Sequence, residues 1–231
     1  MENDDVLIGR ILSRREVLAV MGVTGVTLLT GCSDASTAAA LPEGTCVVRP
    51  ELTEGPYFVD EFLNRSDIRS DPSDLSLRPG TPLELTFNLS GIFGEACTPV
   101  PGLFFDIWHC DAQGVYSDVT TAVGRKFLRG YQVSDANGQV KFTTIYPGWY
   151  SGRAVHIHFK IRSALASSPA YEFTSQLFFT DAFTDQVYAG SSVYTKGSPN
   201  TRNAQDGIYS GGGSQLVLAP TATAEGYEAT M

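Results

Sequence analysis

His156 and His158 stand two residues apart in the run AVHIHFKI, Ala154–Ile161, and they are two of only three histidines among 231 residues. Side chains of a strand alternate between faces, so both imidazoles share one side, with their Cα atoms roughly 6.5 Å apart. Two neutral imidazoles at that spacing can converge on one metal ion, although packed or surface histidines also occur at this spacing. A metal held by such a pair needs further donors, and carboxylate, cysteine or tyrosine usually supplies them. Tyr116, Tyr146, Tyr150 and Asp106 are the nearby candidates. Gly114-Val115-Tyr116 and Gly148-Trp149-Tyr150 repeat one pattern, a tyrosine just beyond a glycine. A free phenol has a pKa of about 10, so only a strongly Lewis-acidic cation holds it as phenolate, and ferric iron does so better than zinc. Other readings stay open: the tyrosines as packed aromatics at a sheet edge, and a zinc hydrolase site using His156, His158 and Asp106. A buried Asp106 is equally a structural hydrogen-bonding group.

The elements that must carry these residues read as short strands. Leu83–Leu89 alternates apolar and polar side chains, as a half-buried strand does. Leu103–Cys110, Arg129–Val133, Val140–Ile145, Val155–Ile161, Glu172–Thr180 and Gln215–Leu218 are further candidates. Asp111–Gly114 and Asp135–Gly138 read as tight hairpin connections, Asn137-Gly138 being the stronger signal. A helical turn is expected around Ser163–Ser168 or Ala182–Val187. Many short strands punctuated by 23 glycines and 12 prolines predict an all-β fold, a two-layer antiparallel β-sandwich with long loops. Cys46–Phe62 keeps neither helical nor strand period and reads as an extended N-terminal arm, with Tyr57 able to cross the mouth of a site. Trp108 and Trp149 are aromatics for its walls or for the core.

The formal net charge of -9 argues against nucleic acid as a partner and against a polyanionic substrate. At the N-terminus, Ser13-Arg14-Arg15 precedes a 14-residue apolar run, Val17–Thr30, and then Gly31-Cys32. The run is shorter than the roughly 20 residues a spanning helix needs, so residues 1–32 read as an export signal. The twin arginines and Leu29–Cys32 match a twin-arginine signal and a bacterial lipoprotein cleavage site. The alternatives are a plain signal peptide or an inner-membrane anchor. Residues 33–44 then form a flexible tether and residues 45–231 one domain. The expected location is the extracytoplasmic face of the envelope, with membrane contact only through a lipid on Cys32. Of Cys46, Cys97 and Cys110, an oxidising compartment pairs two. Cys46 with Cys97 is favoured, because Cys110 closes a core strand where free thiols pack.

Six stretches in order carry a resemblance to a known family: LTEGPYF (Leu52–Phe58), RSDI (Arg65–Ile68), PVPGLFFDIWHCDAQGVYSD (Pro99–Asp118), FLRGYQ (Phe127–Gln132), TIYPGWYSGRAVHIHFK (Thr144–Lys160) and SQLFFTD (Ser175–Asp181). Together they resemble the intradiol ring-cleavage dioxygenases, the catechol and protocatechuate 3,4-dioxygenases. The resemblance implies one Fe(3+) held by Tyr116, Tyr150, His156 and His158, with Tyr150 the ligand that leaves when substrate binds. It also implies that Arg153 stands beside the bound ring and that Gln176 shares its surroundings. The implied partners are a catechol-type aromatic diol and O2, and the implied product is a cis,cis-muconate-type diacid. Trp149 precedes Tyr150 where the family's ring-facing tryptophan follows, which implies a differently shaped pocket. The resemblance covers a stand-alone catalytic sandwich able to form a homo-oligomer. A non-catalytic, envelope-tethered β-sandwich binding module is the alternative from a different functional class.

Overall fold

The computed structural model describes residues 46–93, 96–165 and 169–231. The export signal and the whole of the tether, residues 33–44, lie outside them, and so does part of the turn expected at Ser163–Ser168. Ten strands follow in order: β1 Pro82–Asn88, β2 Ser90–Phe93, β3 Ala96–Pro99, β4 Phe104–Trp108, β5 Arg129–Val133, β6 Gln139–Ile145, β7 His156–Arg162, β8 Glu172–Phe178, β9 Thr221–Ala222 and β10 Tyr227–Thr230. Among the described residues there are also helix α1, Asp181–Ala189, the short α2, Gly207–Ser210, and three 3₁₀ turns. One sheet has the order β6-β1-β10-β9, the other β5-β4-β7-β8, and β2-β3 forms a separate hairpin. All pairings within these sheets are antiparallel except β1 with β10.

The alternation read in Leu83–Leu89 is realised: Leu83, Leu85 and Phe87 are buried on the inner face. They meet Phe142 of the same sheet and Phe105, Ile157, Phe159 and Leu177 of the other in one apolar core. Burying side chains of this size contributes about 1.5–3 kcal/mol each. Phe87 stacks on Phe105 at 4.3 Å between centroids, and Phe105 on Phe159 at 5.3 Å.

β7 is buried on both faces. Its inner residues enter the core, while His156, His158, Lys160 and Arg162 point outward under the N-terminal arm. The arm is held down by charge. Lys160 pairs with Glu54 and Glu172 and lies over the Phe58 ring, and Arg162 pairs with Asp60 and Asp106. Asp106 is thereby committed to Arg162 through both carboxylate oxygens, at 2.8 and 2.9 Å, the structural role among its two readings.

Four expectations need correction. Gln215–Leu218 is not a strand: Gly213–Leu216 is a 3₁₀ turn, and only an isolated bridge joins Val217 to Phe178. Gly213 packs so closely on the Phe178 ring that a Cβ there would lie 2.5 Å from it, which seats the chain as a turn against β8. Asp135–Gly138 is a tight turn but no hairpin, because β5 and β6 belong to different sheets. Asp111–Gly114 also turns without being a tight hairpin, since β5, which pairs with β4, begins only at Arg129; the Asp111 carboxylate accepts from Gln113 N and Val115 N and closes the loop locally. Thr180 leaves the predicted Glu172–Thr180 strand to cap α1, accepting from Phe183 N at 3.2 Å. That helix takes up the expected turn at Ala182–Val187. Cys46 and Cys97 are disulfide-bonded, and Cys110 is a buried free thiol.

Candidate metal centre

Tyr116 and Tyr150 come from loops that follow β4 and β6, and two glycines allow those loops to interlock. Gly148 lies against the backbone of the 111–114 turn, where a Cβ would stand 2.5 Å from both Asp111 O and Ala112 O. Gly114, at φ +80°, meets the Trp149 carbonyl in the same way. Gly148 N donates to Asp111 O at 3.1 Å, and Lys196 Nζ donates to Gln113 O and Trp149 O across the seam. The repeated glycine-x-tyrosine pattern is thus a pair of backbone contacts that brings two phenols together. Their rings sit 5.7 Å apart, edge to face.

β7 delivers the imidazoles to the same point. His156 Nε2 lies 3.0 Å from His158 Nε2, 3.1 Å from Tyr150 Oη and 3.3 Å from Tyr116 Oη. His156 Nδ1 donates to Ala154 O at 2.6 Å, which leaves Nε2 as a bare lone pair. His158 stacks face to face on Trp108 at 4.9 Å, and Gly55 of the arm comes so near that a Cβ there would lie 3.3 Å from its Cε1. Its Nδ1 is buried without a hydrogen-bond partner. Tyr57 stacks on Tyr116 at 4.5 Å and meets Tyr150 edge-on.

This donor set fits a cation. One imidazole lone pair can accept one hydrogen bond well, yet three donor atoms are aimed at it. Nitrogen ligands each about 2.0–2.1 Å from one cation and set at right angles stand about 3 Å apart, as the two Nε2 atoms do. Burial, with the nearby Arg153 charge, holds His156 well below the ordinary imidazole pKa, and burial and His156 do the same to His158, so both imidazoles are in the neutral form that metal binding requires. Burial raises Tyr116 and Tyr150 well above the ordinary phenol value, Arg153 opposing the rise. Only a cation of high charge density would ionise phenols so placed. Among the described residues no group of three or more His, Cys, Asp or Glu side chains is placed to hold a metal. Any site here therefore depends on the phenols.

The comparisons with known proteins bear on what the site belongs to. The family model described as Dioxygenase matches residues 53–193. The structure of an intradiol ring-cleavage dioxygenase from Tetranychus urticae is 31% identical, with a TM-score of 0.67 over 80% of this chain and 92% of that one. This chain belongs to the intradiol ring-cleavage dioxygenases. The dioxygenase domain of a dioxygenase–carbohydrate-binding fusion from Streptomyces sp. SirexAA-E is 30% identical, with a TM-score of 0.55 over 79% and 94% of the two chains. A chlorocatechol 1,2-dioxygenase from Rhodococcus opacus is 27% identical over 131 residues, 47% of this chain and 49% of that protein. The chain thus spans about half the length of the curated relative it matches.

For a member of this family, the surroundings of the four donors matter as much as the donors. A cleft of about 170 Å³ opens beside them, lined by Tyr57, Tyr116, Val119, Thr120, Thr121 and Tyr150. It is smaller than the roughly 300–1,000 Å³ of pockets for drug-sized ligands, and suits a single ring. A larger cavity of about 460 Å³ lies toward the far ends of β4 and β7, among Phe87, Phe105, Phe159 and Phe173. None of the four donors lines it, so the smaller cleft is the one relevant to chemistry. Arg153 is buried: its Nε donates to Asp206 Oδ2 at 2.9 Å and its Nη2 to Gln176 Oε1 at 2.6 Å. Gln176, fully buried, donates in turn to Thr53 O of the arm at 2.8 Å. Arg153 and Gln176 therefore form one unit. Trp149 is half-exposed, with its indole donating to Gly197 O, and does not line the cleft. Sequence reasoning missed Asp206. Arg129 is buried and ties Ser117 to Tyr57 O and Val59 O, joining the Tyr116 loop to the arm. The FLRGYQ stretch was the signal for Arg129; Asp206 has none.

Proposed function

We propose that the protein is a non-haem Fe(3+) dioxygenase that cleaves the ring of a catechol-type diol between its two hydroxyl-bearing carbons. Both atoms of O2 enter the product, a cis,cis-muconate-type diacid. The observation that carries this reading is the convergence of Tyr116 Oη, Tyr150 Oη and His158 Nε2 on His156 Nε2 within 3.3 Å, in a chain of this family. Tyr116, Tyr150, His156 and His158 would hold the ion, and a ferric ion there would supply the Lewis acidity that makes a diol ring reactive toward O2.

The side chains then divide the remaining work. Both phenols line the cleft, Tyr150 half-buried and Tyr116 buried. Tyr150 is therefore the phenol free to move aside and to take a diol proton on its oxygen, and Tyr116 is the one that stays. The Ala154 carbonyl fixes the ring of His156 through Nδ1, and Trp108 and Gly55 fix that of His158. Tyr57 and the 119–121 turn bound the ring and limit its substituents. Arg153 supplies positive charge to the anion that forms on the substrate. Residues 1–32 export the chain, which acts on diols outside the cytoplasm, attached through a lipid on Cys32.

The test is a visible spectrum of the iron-loaded protein in air, with and without catechol, 3,4-dihydroxybenzoate and hydroxyquinol. A tyrosinate-to-iron band that shifts on adding a diol, followed by diacid formation, is expected. Iron bound without any such band, or a coloured protein that cleaves none of the three, contradicts the proposal.

A further inference from the structure

Asp206 lies fifty-three residues beyond Arg153, at the start of α2, yet the two side chains form a buried ion pair at 2.9 Å. Asp206 is 2% exposed and each of its oxygens accepts two hydrogen bonds. Oδ1 caps α2 by accepting from Ile208 N and Tyr209 N, and Oδ2 accepts from Arg153 Nε and from Ala154 N at 2.8 Å. The same Ala154 offers its carbonyl to His156 Nδ1. One carboxylate thus anchors the backbone next to a histidine donor and one edge of the guanidinium.

Arg153 is held from two sides, Nε by Asp206 and Nη2 by Gln176. Nη1 is the end left without a hydrogen bond to another described residue. A long flexible side chain so pinned has lost its rotamer freedom in advance and presents one charged edge. Its charge is felt at all four donors, depressing both histidines and opposing the rise of both tyrosines. A buried guanidinium without a counter-charge would turn toward water. The resemblance places Arg153 beside the bound ring, and the structure also makes it the partner of Asp206 in an ion pair.

We infer that Asp206 is a positioning residue for the ring-cleavage reaction, holding Arg153 so that one edge of its guanidinium faces the bound diol. The inference rests on the proposed function. Asn at position 206 keeps the size of Asp but has a single acceptor oxygen, so it serves either the cap or the Arg153 side.

The test is a double-mutant cycle on the iron-loaded full chain: Arg153→Gln, Asp206→Asn and the pair, with iron content and melting temperature measured for each. Asp206→Asn should lower kcat about tenfold to a hundredfold, the scale of misplacing a catalytic group by about an ångström. KM should change little and iron should stay bound. The double variant should match Arg153→Gln within about twofold, since Asp206 has nothing left to aim. Losses that multiply, or a loss tracking iron content, would overturn the inference. Asp206→Glu, which keeps the charge but moves it, should lower kcat less than Asn does and gives the same reading should the Asn variant not fold. If the wild type cleaves no diol, the proposed function fails, and crystal structures of wild type and Asp206→Asn decide the inference instead. Arg153 losing its fixed place in the variant supports it, and an unmoved guanidinium overturns it.

Discussion

Gly148→Ala probes the contact that brings the two phenols together. The added Cβ would stand 2.5 Å from Asp111 O and Ala112 O and 2.6 Å from Ala112 C. All three are backbone atoms, and the 111–114 turn is braced by the Asp111 carboxylate, so neither side can yield by turning a side chain. The 147–150 segment must shift by about an ångström to restore ordinary contact, at a cost of about 1–3 kcal/mol. For a chain of this size that lowers the melting temperature by roughly 2–4 °C per kcal/mol. The functional loss should be larger than the structural one. Tyr150 rides two residues beyond Gly148, and moving its oxygen away from a 3.1 Å approach to His156 Nε2 removes one donor from the cluster. Calorimetry and iron titration on one preparation separate the effects. A folded variant with iron affinity reduced at least tenfold is expected. A variant with wild-type melting, iron affinity and visible spectrum would refute the idea that this close backbone contact sets the tyrosine geometry.

Tyr150→Phe, which deletes the same oxygen, should bind iron at least as weakly as Gly148→Ala and lose most turnover, whereas His158→Ala should lose iron altogether; iron titration and metal analysis of the purified variants check both. Replacing Cys46 and Cys97 with serine opens a loop with a sequence separation of 51, which in the chain-entropy model costs about 4 kcal/mol. Denaturant unfolding should show that loss while iron content stays near wild type, because the bridge is remote from the four donors. His109 is fully buried, and burial pulls its imidazole down to about 4 from the ordinary 6.5. Above pH 6.5 it is neutral folded or unfolded; between about 6.5 and 4 only the unfolded chain takes the proton, so stability falls on acidification. The total is on the order of 3 kcal/mol at 1.36 kcal/mol per unit. Chemical denaturation across pH should show a shallower acid limb for His109→Gln than for wild type.

How much of this was legible depended on whether the signal was local. The period-two histidines and the alternation of Leu83–Leu89 are properties of a single strand, and the structure realises both. The pairing of Cys46 with Cys97 followed from placing Cys110 at the end of a core strand. The fold's long-range features left no such mark. β10 pairs in parallel with β1 from the other end of the chain through four residues, Tyr227–Thr230, too few to show a period. Asn137-Gly138 carries the chemistry of a tight turn, but whether that turn joins paired strands or crosses between sheets is set by packing: a Cβ at Gly138 would meet Leu89 O at 2.3 Å. At the candidate site, residue type and spacing single out the histidines and put Tyr116 and Tyr150 among the candidate donors; the resemblance selects those two tyrosines and adds Arg153 and Gln176. Asp206 sits in a loop-rich segment whose partner is fifty-three residues away, and only the folded chain shows what it faces.

The central claim is that four side chains hold one trivalent iron, and anomalous diffraction at the iron edge tests it most directly. A single strong peak within bonding distance of Tyr116 Oη, Tyr150 Oη, His156 Nε2 and His158 Nε2 is expected from crystals of the iron-loaded protein. A peak elsewhere, or one that touches the imidazoles but neither phenol, would contradict it.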